Sequence, residues 1–341
     1  MSRIIVKNAT TGAELIWRHI IIKKSLDDIC HTLEMEIASS ERTKIQRHNK
    51  IEVRYQNSLV KDSQAAGGRR VTTVLVDEIT EVADSQKHSI KVLGRSPARD
   101  IIDSTWSEDF YDITALDLTR EIGKRFGIQC HALPPSIADQ MEPLYAFCIE
   151  NESPWIKLIS AADNEGYILT SNEAGNLYFW QVSAAVRDEG FRLVEGSNIK
   201  SIELKENGAE QFHEYIVMGC WADVKVIDDT CPGGRILTMD ITDPDFPEAK
   251  LQRRAETEMR RRREIRATIT VPGWGLTDEQ IERLGAVTEG KEIFWVPNLL
   301  IPVIVPSMGV DARLLISEVE QEAYPDAFES RITVVKREAY L

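Results

Sequence analysis

The chain has 341 residues and a formal net charge of −14, with 43% hydrophobic and 28% charged residues. One hydrophobic core rarely keeps growing to this length, so two or three domains are expected. The composition excludes a disordered chain. The acidic surplus argues against binding of nucleic acid over the whole surface, because such binding depends on cationic contacts with phosphates.

The cysteines and the apolar runs further restrict the possible classes of protein. The cysteines are odd in number, widely spaced and without a CxxC pair, which predicts free thiols in a reducing compartment. They are Cys30, Cys130, Cys148, Cys220 and Cys231. The N-terminal segment lacks the features of a signal peptide. Three prolines interrupt the most apolar run, 294–310, so we expect short strands there and no membrane segment or anchor.

Residues 1–96 have the pattern of an all-β unit. Apolar and polar residues alternate in segments such as 33–37 and 51–55, which gives each strand one dry and one wet face. Segments 71–82 and 88–93 predict a long hairpin. After Gly94, Ser96 and Pro97 predict an N-cap and the first turn of a helix. We therefore place a domain boundary at this junction.

Residues 97–190 predict a small α/β unit. A helix is expected between Asp112 and Phe126, where apolar residues recur at spacings of three and four. A second helix is expected between a Ser153 cap and a C-terminal glycine, Gly166. The segments 167–170 and 177–180 flank a turn and predict a hairpin.

Residues 191–341 are again predicted to form mainly strands. Segments near 199–204, 215–218, 224–227 and 236–239 read as strands. An arginine-rich helix is predicted over 250–266, followed by a strand over 267–271. The sequence after Thr277 is a capping box that predicts a short helix to about Leu284. The segments 314–320 and 331–336 predict a final hairpin.

The run of four arginines, Arg260, Arg261, Arg262 and Arg263, is the main basic concentration in this acidic chain. On a helix, four successive side chains point all round the axis, so they do not form one DNA-binding stripe. Glutamates at 256, 258 and 264 can pair with them at helical spacing. We therefore predict that the run contacts an acidic neighbouring subunit, and we keep direct DNA binding as an alternative.

No residue pattern supports a chemical site. Glu318, Glu320 and Glu322 share one strand face, but a solvated strand edge explains them without glycoside hydrolysis. The adjacent pairs at 30–31 and 130–131, each a cysteine followed by a histidine, lack metal-ligand spacing. Phosphate-binding glycine loops and serine nucleophile motifs do not occur. The sequence predicts no catalytic, cofactor-binding or metal-binding residues and no enzyme activity.

Several landmarks in this order resemble the baseplate hub proteins of Mu-like contractile-tailed phages and prophages, which are related to the hub portion of type VI secretion spikes. The landmarks are HSIKVLGRSPARDIID at 88–103, KRFGI at 124–128, the segment 150–179, LVEGSNIKSIE at 193–203, ATITVPGW at 267–274 and the segment 293–320. The resemblance covers nearly the whole chain.

The resemblance implies an α+β, mainly β fold with two tail-tube-like β-barrels and an inserted small α/β domain. The first barrel would span 1–96, the inserted domain 97–190 and the second barrel 191–341 with the arginine-rich helix, and strands after residue 190 are candidates to complete the first barrel. It implies a homotrimeric central hub that joins the sixfold tail tube to a threefold spike.

The same resemblance implies a set of partners, and two alternative functions stay open. The partners would be other copies of the chain, the trimeric spike, the tail tube protein and other baseplate proteins, with DNA only in transit and no cofactor. The protein would be made in the bacterial host cytoplasm and reside in the virion tail baseplate. The alternatives are a hub with peptidoglycan-degrading activity and a DNA-binding adaptor that uses the arginine-rich helix.

Overall fold

The structure, a computed structural model, describes residues 3–56, 68–83, 88–183, 191–241, 247–277 and 293–341. Strands predominate. The strands of the first half are β1 (Arg3–Asn8), β2 (Glu14–Leu15), β3 (Trp17–Ser25), β4 (Thr32–Ile37), β5 (Lys50–Gln56), β6 (Arg69–Ala83), β7 (His88–Arg95), β8 (Trp106–Ile113), β9 (Cys130–Leu133) and β10 (Leu144–Glu152). The later strands are β11 (Ile168–Ser171), β12 (Leu177–Trp180), β13 (Leu193–Val194), β14 (Ser201–Lys205), β15 (Glu214–Met218), β16 (Asp223–Ile227), β17 (Ile236–Asp240), β18 (Arg266–Pro272), β19 (Leu300–Val305), β20 (Val310–Tyr324) and β21 (Ala327–Val335).

Four α-helices accompany the strands in the described ranges. They are α1 (Arg99–Asp103), α2 (Ala115–Arg125), α3 (Pro154–Glu165) and α4 (Glu248–Arg263). Short 3-10 helices lie at Ser39–Lys44, Pro135–Ile137, Pro306–Met308 and Arg337–Tyr340. None of these helices is long and apolar enough to cross a bilayer.

Strands from both ends of the chain share one 13-stranded sheet in the order β14-β18-β21-β20-β3-β4-β7-β6-β5-β1-β2, with β19 paired to β20 and β13 to β19. The two halves meet where β3 pairs antiparallel with β20, from Ser25 opposite Glu318 to Ile20 opposite Ala323. Over the described residues this strand order is open, ending at β14 and β2. The mainly β prediction is confirmed, while a pair of tube-like barrels is not seen and stays a prediction.

Alternation along these strands builds the largest core. Ile20, Ile22, Met35, Ile90 and Val92 are buried on one face of the three neighbouring strands β3, β4 and β7. Glu34, Glu36 and Lys91, which alternate with Met35, Ile90 and Val92, are less buried and lie on the other face. A strand turns successive side chains to opposite faces, so the period-2 pattern of the sequence becomes one dry and one wet side of the sheet.

The junction after β7 is packed tightly against β6. A Cβ atom at Gly94 would lie 2.7 Å from the carbonyl oxygen of Leu75. The prediction that Ser96 caps the next helix is wrong: α1 begins only at Arg99, and no side chain caps it. The Ser96 hydroxyl instead lies 3.1 Å from the hydroxyl of Ser171. Ser96 therefore ties the sheet to the α/β unit.

The α/β unit forms largely as its local sequence dictates. The Thr114 hydroxyl accepts a hydrogen bond from the amide of Asp117 at the start of α2. The Ser153 hydroxyl accepts one from the amide of Trp155, and Gly166 ends α3 with φ of 75°. A second core lies inside this unit and includes Leu158 and Phe179. The predicted caps of α3 and the β11–β12 hairpin are confirmed.

A third unit combines α4 with a three-stranded sheet in the order β16-β15-β17. One face of α4, with Leu251 and Ala255, packs on Tyr215 and Val217 of that sheet. The helix predicted over 250–266 is thus found at Glu248–Arg263. The short helix predicted after Thr277 lies outside the described residues.

Candidate functional site

The arginine-rich helix α4 lies against the C-terminal end of α3. Arg254 and Arg261 approach the two carboxylate oxygens of Asp163 at 3.2 and 3.4 Å. The Lys250 ammonium donates to Glu165 at 2.9 Å, and Arg253 donates to the backbone carbonyl of Asn164 at 2.8 Å. The last turn of a helix carries partial negative charge, so the cations of α4 stabilise this end of α3.

The four arginines predicted as a contact site point to different partners. Arg260 donates to the Leu341 carbonyl oxygen at 2.7 Å, and Arg262 donates to Glu258 at 2.6 Å. Arg261 lies 5.1 Å from the ring of Tyr340, Arg262 lies 5.2 Å from the ring of Phe212, and Arg263 lies 3.8 Å from Asp228. The run therefore forms no single basic stripe.

The predicted helical pairs are confirmed for two glutamates. Glu256 pairs with Arg260 at 3.8 Å, and Glu258 pairs with Arg262. Glu264 instead accepts a hydrogen bond from the amide of Lys336 at 3.0 Å. Most guanidinium groups of the four arginines therefore contact partners within the same chain. Arg263 is the most exposed of the four, at 45% of its side chain.

Burial and charge act in opposite directions on Arg261. Burial alone would lower the pKa of its guanidinium, but the carboxylate of Asp163, followed by that of Asp27, outweighs burial and raises the pKa. Burial next to Asp27 likewise raises the pKa of the Tyr340 hydroxyl. Arg261 therefore stays charged in its half-buried position and holds α3, α4 and the C-terminal 3-10 helix together.

A polar cavity of about 370 Å³ lies beside α4. Its lining mixes both signs of charge, with Arg261, Arg262 and Arg266 facing Asp27 and Glu258. Arg266 pairs with Asp27 at 3.2 Å. Because these cations and carboxylates neutralise one another, the cavity has the chemistry of an internal ion-pair network rather than of an anion site.

The carboxylate row of β20 is paired across the sheet. The Lys23 ammonium lies 2.7 Å from Glu320, and the His19 ring lies 2.7 Å from Glu322. Burial would raise the pKa of Glu322, but the hydrogen bond from His19 outweighs it and lowers the pKa. Burial raises the pKa of Glu318. The three glutamates are half-buried and β20 lies between β21 and β3, so the prediction of a solvated strand edge is wrong.

Burial changes the protonation of three side chains in the two adjacent pairs of cysteine and histidine. Burial raises the pKa of Cys30 and of Cys130 to about 12, which keeps both thiols protonated and unreactive. Burial lowers the pKa of His31 to about 3. His131 points away from Cys130 and contacts the ring of Tyr178. No group of metal-ligating residues comes together in the part of the chain that the structure describes.

The distant residues that the arginines contact were not predicted from the sequence. Asp163 and Tyr340 are distant in sequence from the run, with a separation of 98 residues between Asp163 and Arg261. The acidic last turn of α3 was the available signal, because carboxylates at a helix C-terminus are unfavourable unless cations approach them.

The fold is similar to that of solved phage and prophage tail proteins. The prophage MuSo2 43 kDa tail protein from Shewanella oneidensis has 24% sequence identity and superposes with a TM-score of 0.74, covering 99% of this chain and 98% of that chain. The E. coli c3393 protein, a type VI secretion component described as similar to T4 bacteriophage tail proteins gp27 and gp5, superposes with a TM-score of 0.57 at 10% identity, covering 96% of this chain and 76% of that chain.

Among individual proteins, the chain is similar to the baseplate hub protein gp44 of Escherichia phage Mu. The two are 24% identical over 308 residues, which cover 81% of this chain and 74% of the relative. No protein-family model matches the chain. The resemblance to Mu-like baseplate hub proteins that the sequence predicts is confirmed.

Proposed function

We propose that this chain is the structural subunit of the baseplate central hub of a contractile phage tail. The observation that carries the proposal is the similarity to the Mu baseplate hub protein over 81% of the chain, joined to a fold shared along nearly the whole length with a prophage tail protein. The protein would be made in the host cytoplasm and reside in the tail baseplate, without enzymatic activity.

We infer further that three chains form a ring. The chain would contribute two tube-like β units, 1–96 and 191–341, with 97–190 inserted between them, so that a threefold ring offers six similar units. The β3–β20 pairing supports this arrangement, because it joins the two β units into one rigid sheet. The ring would meet the sixfold tail tube on one side and the threefold spike on the other.

The wet face of the large sheet is suited to a channel through which DNA passes. The carboxylates of β20 lie on this face beside Lys23 and Arg331, so the face is charged but largely compensated. An acidic excess would repel DNA only within about 8 Å at physiological salt. DNA would therefore slide past the wall without being held.

The predicted subunit contact at Arg260–Arg263 remains part of the proposal. Since Arg260, Arg261 and Arg262 have close partners inside the chain, the contact would depend mainly on Arg263. This arrangement favours a structural role for α4 over a DNA-binding adaptor, which would need free guanidinium groups aligned along one face.

The experiment is the solution mass of the purified protein, measured by light scattering after size exclusion. A mass about three times the 38.6 kDa of one chain is the expected result. A monomer at all concentrations up to about 100 µM, well above the dissociation constant of a stable assembly, would contradict the ring.

A further inference from the structure

The face of the three-stranded sheet opposite α4 carries exposed apolar side chains, interrupted by the ion pair of Lys225 and Glu214, and lacks a covering element among the described residues. Tyr215 and Val217 of β15 face α4 and are buried. The opposite side of the same sheet presents Met218, Ile227 and Ile236, all exposed. Ile236 is 55% exposed. Buried and exposed apolar residues thus line both sides of one small sheet.

At the tip of this sheet, the turn between β15 and β16 carries Trp221. It is 86% exposed, more than any other large hydrophobic side chain that the structure describes. Met218 lies opposite Asp223 on one neighbouring strand and opposite Asp240 on the other. We call the surface formed by Met218, Trp221, Asp223, Ile227, Ile236 and Asp240 the Trp221 face. Apolar patches with a polar rim are typical of protein contacts, and tryptophan is enriched among residues that anchor them.

The charge of this region indicates which kind of partner surface can cover it. The segment 206–241 contains seven carboxylates and only two lysines or arginines, a net charge of −5. A face that combines exposed apolar side chains with an acidic rim is complementary to a surface with exposed apolar side chains and a basic rim. The partner is therefore basic at its contact surface.

The chain carries such a surface at the other end of its large sheet. The segments 3–18 and 41–54 together hold eight lysines or arginines and three glutamates, a net charge of +5. Lys7, Arg47 and Lys50 are exposed here, and Ile16 is 61% exposed between β2 and β3. We call the exposed surface of these two segments the basic end. It lies around β1, β2 and β5, the strands at the end of the large sheet that is opposite to β14.

We propose that the Trp221 face of one chain docks on the basic end of a second copy. The two surfaces differ, so the contact is head to tail, the type that closes a ring when the rotation permits. The face spans about 17 Å along its strands at about 3.3 Å per residue, so it supplies the anchor of a larger interface. This inference rests on the proposed trimer and names the surface that forms it.

The first test removes the anchor. Sedimentation velocity of the full chain over a concentration series compares the wild type with Trp221→Ser. Because the side chain is exposed, the substitution should leave the fold intact, which circular dichroism checks. We expect the concentration at which half of the chains are associated to rise about tenfold or more, as for an interface anchor. Tyr111→Ser, which also removes an exposed aromatic side chain, 65% exposed, is the matched control and should associate like the wild type.

The second test reverses the charges. Asp223→Lys with Asp240→Lys should weaken association, and so should Lys7→Glu with Lys50→Glu, because each double variant places like charges across the contact. Combining all four substitutions in one chain should restore association. Asp139→Lys with Asp326→Lys makes the same charge change at exposed positions outside both surfaces and should have little effect.

The outcomes separate the docking inference from the trimer. A wild-type trimer that Trp221→Ser and both charge-reversed variants leave unchanged would overturn the docking inference and keep the trimer. A wild-type chain that never associates would overturn both. Weakening by each double variant without recovery in the fourfold variant would also contradict the pairing of these two surfaces.

Discussion

Individual residues fix the junction between the large sheet and the α/β unit. Gly94 lies where a Cβ atom would meet the Leu75 carbonyl oxygen at 2.7 Å, a distance that requires the backbone to shift. We expect Gly94→Ala to lower the free energy of unfolding by about 1 to 3 kcal/mol, the usual cost of overpacking. Gly234→Ala, where the added atom meets nothing within 4 Å, is the control. Urea unfolding measures both, and equal stability of the two variants would refute the strain argument.

Buried His31 makes stability depend on pH. Its pKa falls from 6.5 to about 3 because burial disfavours the charged form. The unfolded chain therefore binds a proton below pH 6.5 that the folded chain does not, so stability is present above that pH and is lost as the pH falls toward about 3.

The test compares unfolding free energies between pH 7 and pH 4. His31→Gln should reduce the slope with pH, by up to about 1.4 kcal/mol per unit. An unchanged slope in His31→Gln would show that His31 does not contribute.

At the scale of elements, Asp163 joins α3 to α4. Its carboxylate receives Arg254 and Arg261, and all three side chains are mostly buried. Asp163→Asn removes the carboxylate closest to both cations, so we expect a loss of about 2 kcal/mol in stability. Glu121→Gln removes an exposed pair on α2 and should cost less than about 0.5 kcal/mol. Chemical denaturation measures the difference, and equal effects would contradict a structural role for the contact.

Elements with local signals could be predicted from the sequence. Ser153, Pro154 and Gly166 mark both ends of α3 because caps and the left-handed C-terminal glycine depend only on neighbouring residues. The predicted cap at Ser96 failed because that hydroxyl contacts Ser171, a partner 75 residues away. The end of α4 was placed three residues late, since Arg266 already begins β18 and lies opposite Lys205 of β14.

The candidate site was predictable only in part. The i, i+4 pair of Glu258 and Arg262 follows from helix geometry. The contact of Arg261 with Asp163 and Tyr340 depends on how distant elements pack, and no local pattern encodes it. For the same reason, the alternation in 33–37 and 51–55 predicted strands but did not predict that β3 would pair with β20.

The whole molecule is organised by that pairing of β3 and β20, which makes one sheet from the first and last parts of the chain. Such a sheet lets a subunit act as a rigid block. In the proposed ring, the acidic Trp221 face and the basic end would give each block two different contact surfaces, as a head-to-tail ring requires.

Single-particle cryo-electron microscopy of the purified protein tests the central claim most directly. The account predicts a threefold ring around an open channel, with six β units in the wall and the Trp221 face of each chain against the basic end of its neighbour. A monomer, or a twofold dimer in which identical surfaces meet, would contradict the proposed hub.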